Sequence, residues 1–257
     1  MPKIAISGKG GVGKTTLAAL LAHIYARRGR KVLAIDADPN ANLSSALGFP
    51  PELAARITPI AEMEELIYER TGARPGTYGT FFKLNPRVDD IPDRFSVVHR
   101  GVRLLVMGPI KRGGAGCVCP ESALLKNLVA HLLLHRDEVL IMDMEAGVEH
   151  LGRATAQAVD GLLIVVEPGL RSLETARRIK KLAADIGLRN IYVVGNKVRD
   201  ENDRDFIAQQ LSDFQLLGFL SYSPLAIEAD RRGVAVFDLD HCMVEEAEAI
   251  ADRLPGV

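Results

Sequence analysis

The stretch Gly8-Lys9-Gly10-Gly11-Val12-Gly13-Lys14-Thr15-Thr16 follows directly on an apolar run over 3–7 and fits the pattern G-x-x-x-x-G-K-[ST]. Glycines at 8, 10, 11 and 13 permit backbone conformations in which successive N–H groups turn toward one point and form an anion nest. The helix expected over 16–28 adds the partial positive charge of its N-terminus to the same point. Lys14 supplies a mobile cation for the β- and γ-phosphates of a nucleotide, and the Thr15 hydroxyl a ligand for Mg2+. Gly8, Lys9, Gly10, Gly11, Val12, Gly13, Lys14, Thr15 and Thr16 are therefore the candidate phosphate-binding set. The alternative, a glycine-rich turn without a ligand, has no need of a strand before it and a helix after it.

Outward from this loop, apolar runs recur at 3–7, 31–36, 102–107, 138–144, 161–167, 190–195 and 216–220. They are short and mostly lack polar alternation, the pattern of strands covered on both faces. Segments over 16–28, 121–135, 172–186 and 203–211 are long enough for crossover helices, and a last helix is expected around 243–254. Such alternation implies an α/β fold, a mostly parallel central sheet with helices on both faces. The interval 52–71 reads as partly helical, interrupted at Pro59. Pro75, Gly76, Gly79, Pro86 and Pro92 make 72–100 read as loop-rich. No Ser/Gly linker and no internal repeat divides the chain, so 1–257 is expected to form a single P-loop ATPase domain.

Hydrophobic residues at 47% and charged residues at 25% are ordinary for a globular chain. Lys and Arg total 32 against 33 Asp and Glu, which removes the simplest electrostatic argument for a nucleic-acid binder. Three cysteines cannot build a disulfide framework and imply a reducing compartment or a use for free thiols. The glycine run arrives too early for a signal-peptide hydrophobic region. No apolar stretch has the length of a membrane span, and the acidic 245–248 segment is unlike a basic amphipathic anchor. The expectation is a cytoplasmic protein with neither nucleic acid nor membrane as partner.

Carboxylates stand where two strands end. Asp36 and Asp38 close the second run, in the region where parallel sheets bind ligands; either could instead cap the helical segment that follows. Asp143 closes the run 139–143 and can hold Mg2+ through water, and the sequence D-x-x-x-G then brings Gly147, whose N–H could serve a γ-phosphate. Glu145 between them should point away from any phosphate. Asn196 follows another strand and can pair with the adenine edge in bidentate fashion, or sit in a strand-end turn. Cys117 and Cys119 form C-x-C in a glycine-rich segment. In extended backbone, thiols two apart point to one side. One chain then offers two of the four ligands that structural zinc takes, and a twofold-related copy could supply the rest; two buried cysteines are the plain alternative. Cys242 is expected to be a buried small residue. His131 and His135 stand four apart on a helix, and His150 lies near the 143–147 loop.

Lys9, a second lysine inside the phosphate loop, makes the sequence K-G-G-x-G-K-[ST]. This resembles the deviant Walker A ATPases, the superfamily of MinD, ParA and the nitrogenase iron protein. The resemblance implies that Lys9 reaches across a nucleotide-sandwich homodimer to the partner's phosphates. It also implies that Asp38 orients the attacking water, that Asp36 lies near the Mg2+ water shell, and that Asn196 and the loop containing Pro224 meet the base. With C-x-C and with D-M-x-A-G-x-E-H over 143–150, the chain is similar, more narrowly, to the CooC-type nickel-insertion ATPases of carbon monoxide dehydrogenase maturation. That implies an ATP-hydrolysing metallochaperone in which Cys117 and Cys119 of both subunits bind Ni2+ or Zn2+ for a nickel client such as carbon monoxide dehydrogenase. Glu145 stands where those relatives are expected to have glycine. Two other readings stay open: a positioning ATPase like ParA or MinD, and a reductase like the nitrogenase iron protein with a bridging iron–sulfur cluster.

Overall fold

The computed structural model describes residues 1–76, 81–109, 119–148 and 151–254. Eight strands form one sheet: β1 (Lys3–Gly8), β2 (Val32–Asp36), β3 (Val97–His99), β4 (Val102–Val106), β5 (Val139–Asp143), β6 (Gly161–Val166), β7 (Ile191–Val198) and β8 (Gln215–Ser221). Their order is β3-β4-β2-β5-β1-β6-β7-β8. Every pairing is parallel except that of β3 with β4. The expected α/β architecture is the one observed.

Alternate residues of each central strand enter two separate cores. Ile4 and Ile6 of β1, Val139 and Ile141 of β5, and Leu163 and Val165 of β6 pack on the face covered by the helices Lys14–Arg27 and His241–Ala251. Ala5, Leu140, Met142, Leu162 and Ile164 pack on the other, under Pro120–His135 and Leu170–Asp185. Because both faces are buried, the strands are apolar along most of their length, which is why they lack alternation. Burying this apolar surface, at about 25 cal/mol per Å2, is what holds the helices against the sheet.

Two features depart from the expectations, the edge strand and a helix in the loop-rich interval, while the partly helical reading of 52–71, interrupted at Pro59, is observed. The edge strand β3 leaves no mark in the sequence pattern: it has three residues, pairs antiparallel with β4, and leaves Val98 58% exposed, so it carries no apolar run. The interval 52–71 resolves into a helix Pro51–Ala54, a 3-10 turn Ile60–Glu62 after Pro59, and a helix Glu64–Thr71. The loop-rich interval holds one short helix, Ile91–Phe95, whose Asp93 accepts from Arg103 (2.7 Å) and Arg136 (2.9 Å). Those two guanidinium groups hold the Asp93 carboxyl well below the usual carboxylate range, Arg136 most of all.

The topology decides where chemistry can occur. β1 lies between β5 and β6 while β2 lies beyond β5, so the chain reverses its direction of travel beside β1. The loops leaving β1, β2 and β5 converge there at the carboxyl edge, the position at which open α/β sheets bind ligands.

Ile141→Ala, at a fully buried position of central β5, is expected to lower unfolding free energy by about 2–5 kcal/mol. Urea titration should show the midpoint falling with the slope unchanged.

Candidate nucleotide site

The loop after β1 is shaped by glycines at positions no other residue fills. Gly8 has φ +148°, and a Cβ there would stand 2.4 Å from the Val165 carbonyl oxygen of neighbouring β6. Gly13 has φ +94°, and a Cβ would lie 2.1 Å from Asn196 Nδ2. Gly13 is also the residue that opens the helix Lys14–Arg27, so the first free N–H groups of that helix face the loop. Lys14, at the helix start, is buried to 7% exposure.

Asn196 fixes the loop from β7. Its Nδ2 donates to the Val12 carbonyl (2.7 Å) and its Oδ1 accepts from the Lys197 N–H (2.8 Å). Lys197 adopts φ 58°, a left-handed conformation rare outside glycine, at an irregularity in the β7–β8 register. From there its Nζ donates to the Gly11 carbonyl (2.6 Å). Glu167, just past β6, lies 3.7 Å from Lys9 Nζ and 3.4 Å from Lys197 Nζ, and so pairs with both lysines beside the loop. In the sequence Glu167 reads only as the end of an apolar run. Its position beside the loop follows from the pairing of β1 with β6, Gly8 opposite Val165.

The carboxylates gather opposite Thr15. In the sheet register Asp143 stands beside both Asp36 and Ile6. Thr15 Oγ1 donates to Asp143 Oδ2 at 2.6 Å, while Asp143 Oδ1 is buried without a partner among the described residues. Burial pushes the Asp143 carboxyl up to about 7, against the Thr15 hydrogen bond, and the nearby Asp36 charge adds to the rise. Asp36 is pushed up to about 6, again chiefly by burial. Its two oxygens accept from Asp38 N (3.2 Å) and Leu43 N (2.9 Å), so it serves the start of the short helix Leu43–Ala46, the capping role that its place in the sequence allows. Asp38 is half-buried, and its Oδ1 accepts from Asn40 N (2.8 Å). An orphaned buried carboxylate oxygen beside a threonine hydroxyl and a second buried carboxylate is a donor set of hard oxygens, and it fits Mg2+.

Next to the loop opens a cleft of about 600 Å3 whose walls include Gly13, Asn196, Arg199, Tyr222, Ser223 and Asp230. The Arg199 guanidinium lies over the Tyr222 ring, 5.4 Å from its centroid. Ser223 caps the helix Pro224–Arg232, accepting from Leu225 N and Ala226 N, and donates to Asp240. Pro224 opens this helix but does not line the cleft.

Ser7, unremarkable in the sequence, is fully buried and meets the 145–147 loop. Gly147 N donates to Ser7 Oγ (3.1 Å) and to Glu145 O (2.8 Å). The Glu145 side chain is exposed. Cys119 is half-buried, in extended backbone at φ −111°, where the helix Pro120–His135 begins; Cys117, and with it the C-x-C geometry, lies outside the described residues, as does His150. Among the described residues no three metal-ligating side chains gather. The His131 and His135 rings lie 5.5 Å apart. Cys242 corrects an expectation: it is exposed, because Met243, Val244 and Ala247 are the side chains that its helix turns inward.

The loop, the buried aspartates and the cleft define the class: an ATP-binding P-loop protein. The family model of the CobQ/CobB/MinD/ParA nucleotide-binding domain matches residues 3–237, and the chain belongs to that family. It is 48% identical over 252 residues to the carbon monoxide dehydrogenase accessory protein CooC of Rhodospirillum rubrum, covering 98% of this chain and 95% of that one. It is also 48% identical over 251 residues to an uncharacterized ATP-binding protein of Methanocaldococcus jannaschii, covering 96% and 95%. Among solved structures, the MinD cell division protein of Aquifex aeolicus superposes with a TM-score of 0.70 at 24% identity, over 98% of this chain and 96% of that one. No helix among the described residues is long and apolar enough to cross a membrane.

The raised Asp143 and Asp36 values carry a pH signature. Through these two groups the folded chain binds more protons than the unfolded one between about pH 4 and pH 7, so their contribution to stability falls as pH rises through that window, with the burial-lowered His23 and His131 acting in the opposite direction. Urea denaturation of protein stripped of nucleotide and metal should show this decline. Asp143→Asn should flatten it in part and be more stable than the parent at pH 8 by about 1–4 kcal/mol. Added Mg2+ should stabilise the parent more at pH 8 than at pH 6. A flat parent profile would contradict the assignment.

Proposed function

We propose that this chain is an ATP-dependent metallochaperone. In this reading a homodimer closes on ATP, hydrolyses it to ADP and phosphate, and couples that cycle to the binding and delivery of nickel for a nickel enzyme such as carbon monoxide dehydrogenase. The observation that carries the ATPase part is the meeting of Thr15 with the buried Asp143 at the mouth of a glycine-formed anion nest. The carrier role is supported by the 48% identity to CooC, named as an accessory protein of carbon monoxide dehydrogenase, and by the C-x-C pair Cys117 and Cys119.

Each residue then has its own part. Backbone N–H groups of 9–15 and the Lys14 ammonium bind the phosphates. Thr15, Asp143 through water, and Asp36 in the outer shell would hold Mg2+, which neutralises charge on the β- and γ-oxygens when bound. Asp38 orients a water in line with the γ-phosphorus. Its carboxylate is exposed enough to turn from Asn40 N toward that water. Lys9 leaves Glu167 and reaches the partner's phosphates, stabilising charge as an arginine finger does. Asn196 and the Tyr222–Ser223 turn border the base. The nickel ion is cargo, held by thiolates, which suit soft and borderline metals. Two C-x-C pairs on a twofold axis give four such ligands. ATP and metal then favour a common dimer, so each must raise the affinity of the other.

Lys9→Ala should lower ATP turnover by about 10²-fold or more while ADP binding stays within about threefold. Metal content by plasma emission spectroscopy should be one Ni2+ or Zn2+ per dimer, and lost in both Cys117→Ser and Cys119→Ser. Metal content unchanged in both variants would remove the carrier role. Salt-sensitive ATP-dependent retention on DNA, or retention on vesicles, would favour a positioning ATPase. Iron with sulfide in anaerobically purified protein would favour a reductase.

A further inference from the structure

We infer that Ser7 is a positioning residue that holds the 145–147 loop away from the phosphate pocket, and that a nucleoside triphosphate engages Gly147 only by taking its N–H from the Ser7 hydroxyl. The inference rests on the reading that this site binds ATP, and adds to it the restraint that tells triphosphate from diphosphate.

Ser7 is the buried polar residue of central strand β1, between Ile6 and Gly8 at the mouth of the phosphate loop. A buried hydroxyl must find partners, and this one finds all of its partners on one segment. Oγ lies 2.9 Å from Glu145 O, 2.8 Å from Gly147 O and 3.1 Å from Gly147 N. A hydroxyl has one hydrogen and two lone pairs: here the hydrogen is shared between the two carbonyl oxygens, and one lone pair accepts from the Gly147 N–H.

The neighbouring ties show what this hydroxyl controls. Backbone hydrogen bonds hold the chain to the sheet as far as Met144, whose N–H donates to Ile6 O at 3.0 Å. Among the described residues, the hydrogen bonds that join 145–147 to the rest of the chain all run to Ser7 Oγ. The segment can therefore move as a unit when one side chain lets go, with β5 left in place. Gly147 is buried, and its single N–H points at Ser7 Oγ and Glu145 O. One N–H cannot serve these acceptors and a phosphate oxygen together. The Ser7-held and phosphate-held arrangements thus compete, and a ligand shifts the balance only by its differential affinity for the two. A diphosphate lacks the third phosphate, so it gains nothing from the exchange. A triphosphate gains the N–H but must displace the hydroxyl.

Removing the hydroxyl weakens the held arrangement alone. Isothermal titration of the full-length protein with ADP and with a non-hydrolysable ATP analogue, both with Mg2+, reads the effect. Ser7→Ala should shift the ratio of affinities toward the ATP analogue by about three- to tenfold, the scale of one net hydrogen bond. ADP affinity should stay within about twofold, and Ser7→Thr, which keeps the hydroxyl, should restore the parental ratio. An unchanged ratio, a shift toward ADP, or a Ser7→Thr variant that behaves as Ser7→Ala would overturn the inference. Should Ser7→Ala fail to fold, NMR of the unaltered 15N-labelled protein decides the matter. The assigned Gly147 amide should move with the ATP analogue and stay in place with ADP; equal response to both would overturn the inference. Failure of the unaltered protein to bind either nucleotide would instead count against the ATP reading itself.

Discussion

Two buried carboxylates, Asp36 and Asp143, end adjacent parallel strands in the same register. Burial raises both above the ordinary carboxylate range, and among the described residues Asp143 keeps one oxygen without a partner. A folded chain does not hold such an arrangement without cost. The register cannot relieve it: sliding β5 against β2 would take Leu140 and Met142 out of one core and Val139 and Ile141 out of the other. The sheet therefore holds negative charge at one point of its carboxyl edge, and Thr15 at the start of the adjoining helix faces it.

Opposite that charge the chain assembles positive potential from backbone and lysine. The close approach of the loop to β6 at Gly8 and to Asn196 at Gly13 leaves no room for side chains, so peptide N–H groups form the surface of the pocket. Lys14 is buried, whereas Lys9 and Lys197 are more exposed and share Glu167. These placements are consistent with the proposed function, in which Lys14 binds within its own protomer and is fixed while Lys9, which would reach a partner, is held by a surface ion pair. Such pairs are worth little, and so they can be exchanged.

Much of this is legible in the amino-acid order. The apolar runs locate seven strands because a sheet buried on both faces leaves few polar positions along them. The glycine loop is legible because its conformations exclude other residues. Asp36, Asp38 and Asp143 stand out because strand ends mark the edge where ligands bind. What escapes is pairing across the sheet. Nothing local to Ser7 announces that its hydroxyl meets 145–147, and nothing local to Glu167 announces two lysines; both depend on β1 lying between β5 and β6. Asn196 reads as a residue able to face a base, yet its amide ties Val12 and Lys197, a role that only the folded loop reveals. β3 is too short to leave a pattern, and Cys242 lies on the outer face of a helix whose apolar neighbours suggest burial for it too.

The proposed coupling of nucleotide to a shared thiolate site is tested most directly by native mass spectrometry of the chain with and without ATP and Ni2+. A dimer carrying two nucleotides and one nickel ion, formed in higher yield with both ligands than with either, is the predicted result. Nucleotide-loaded monomers that hold no nickel at any protein concentration would contradict it.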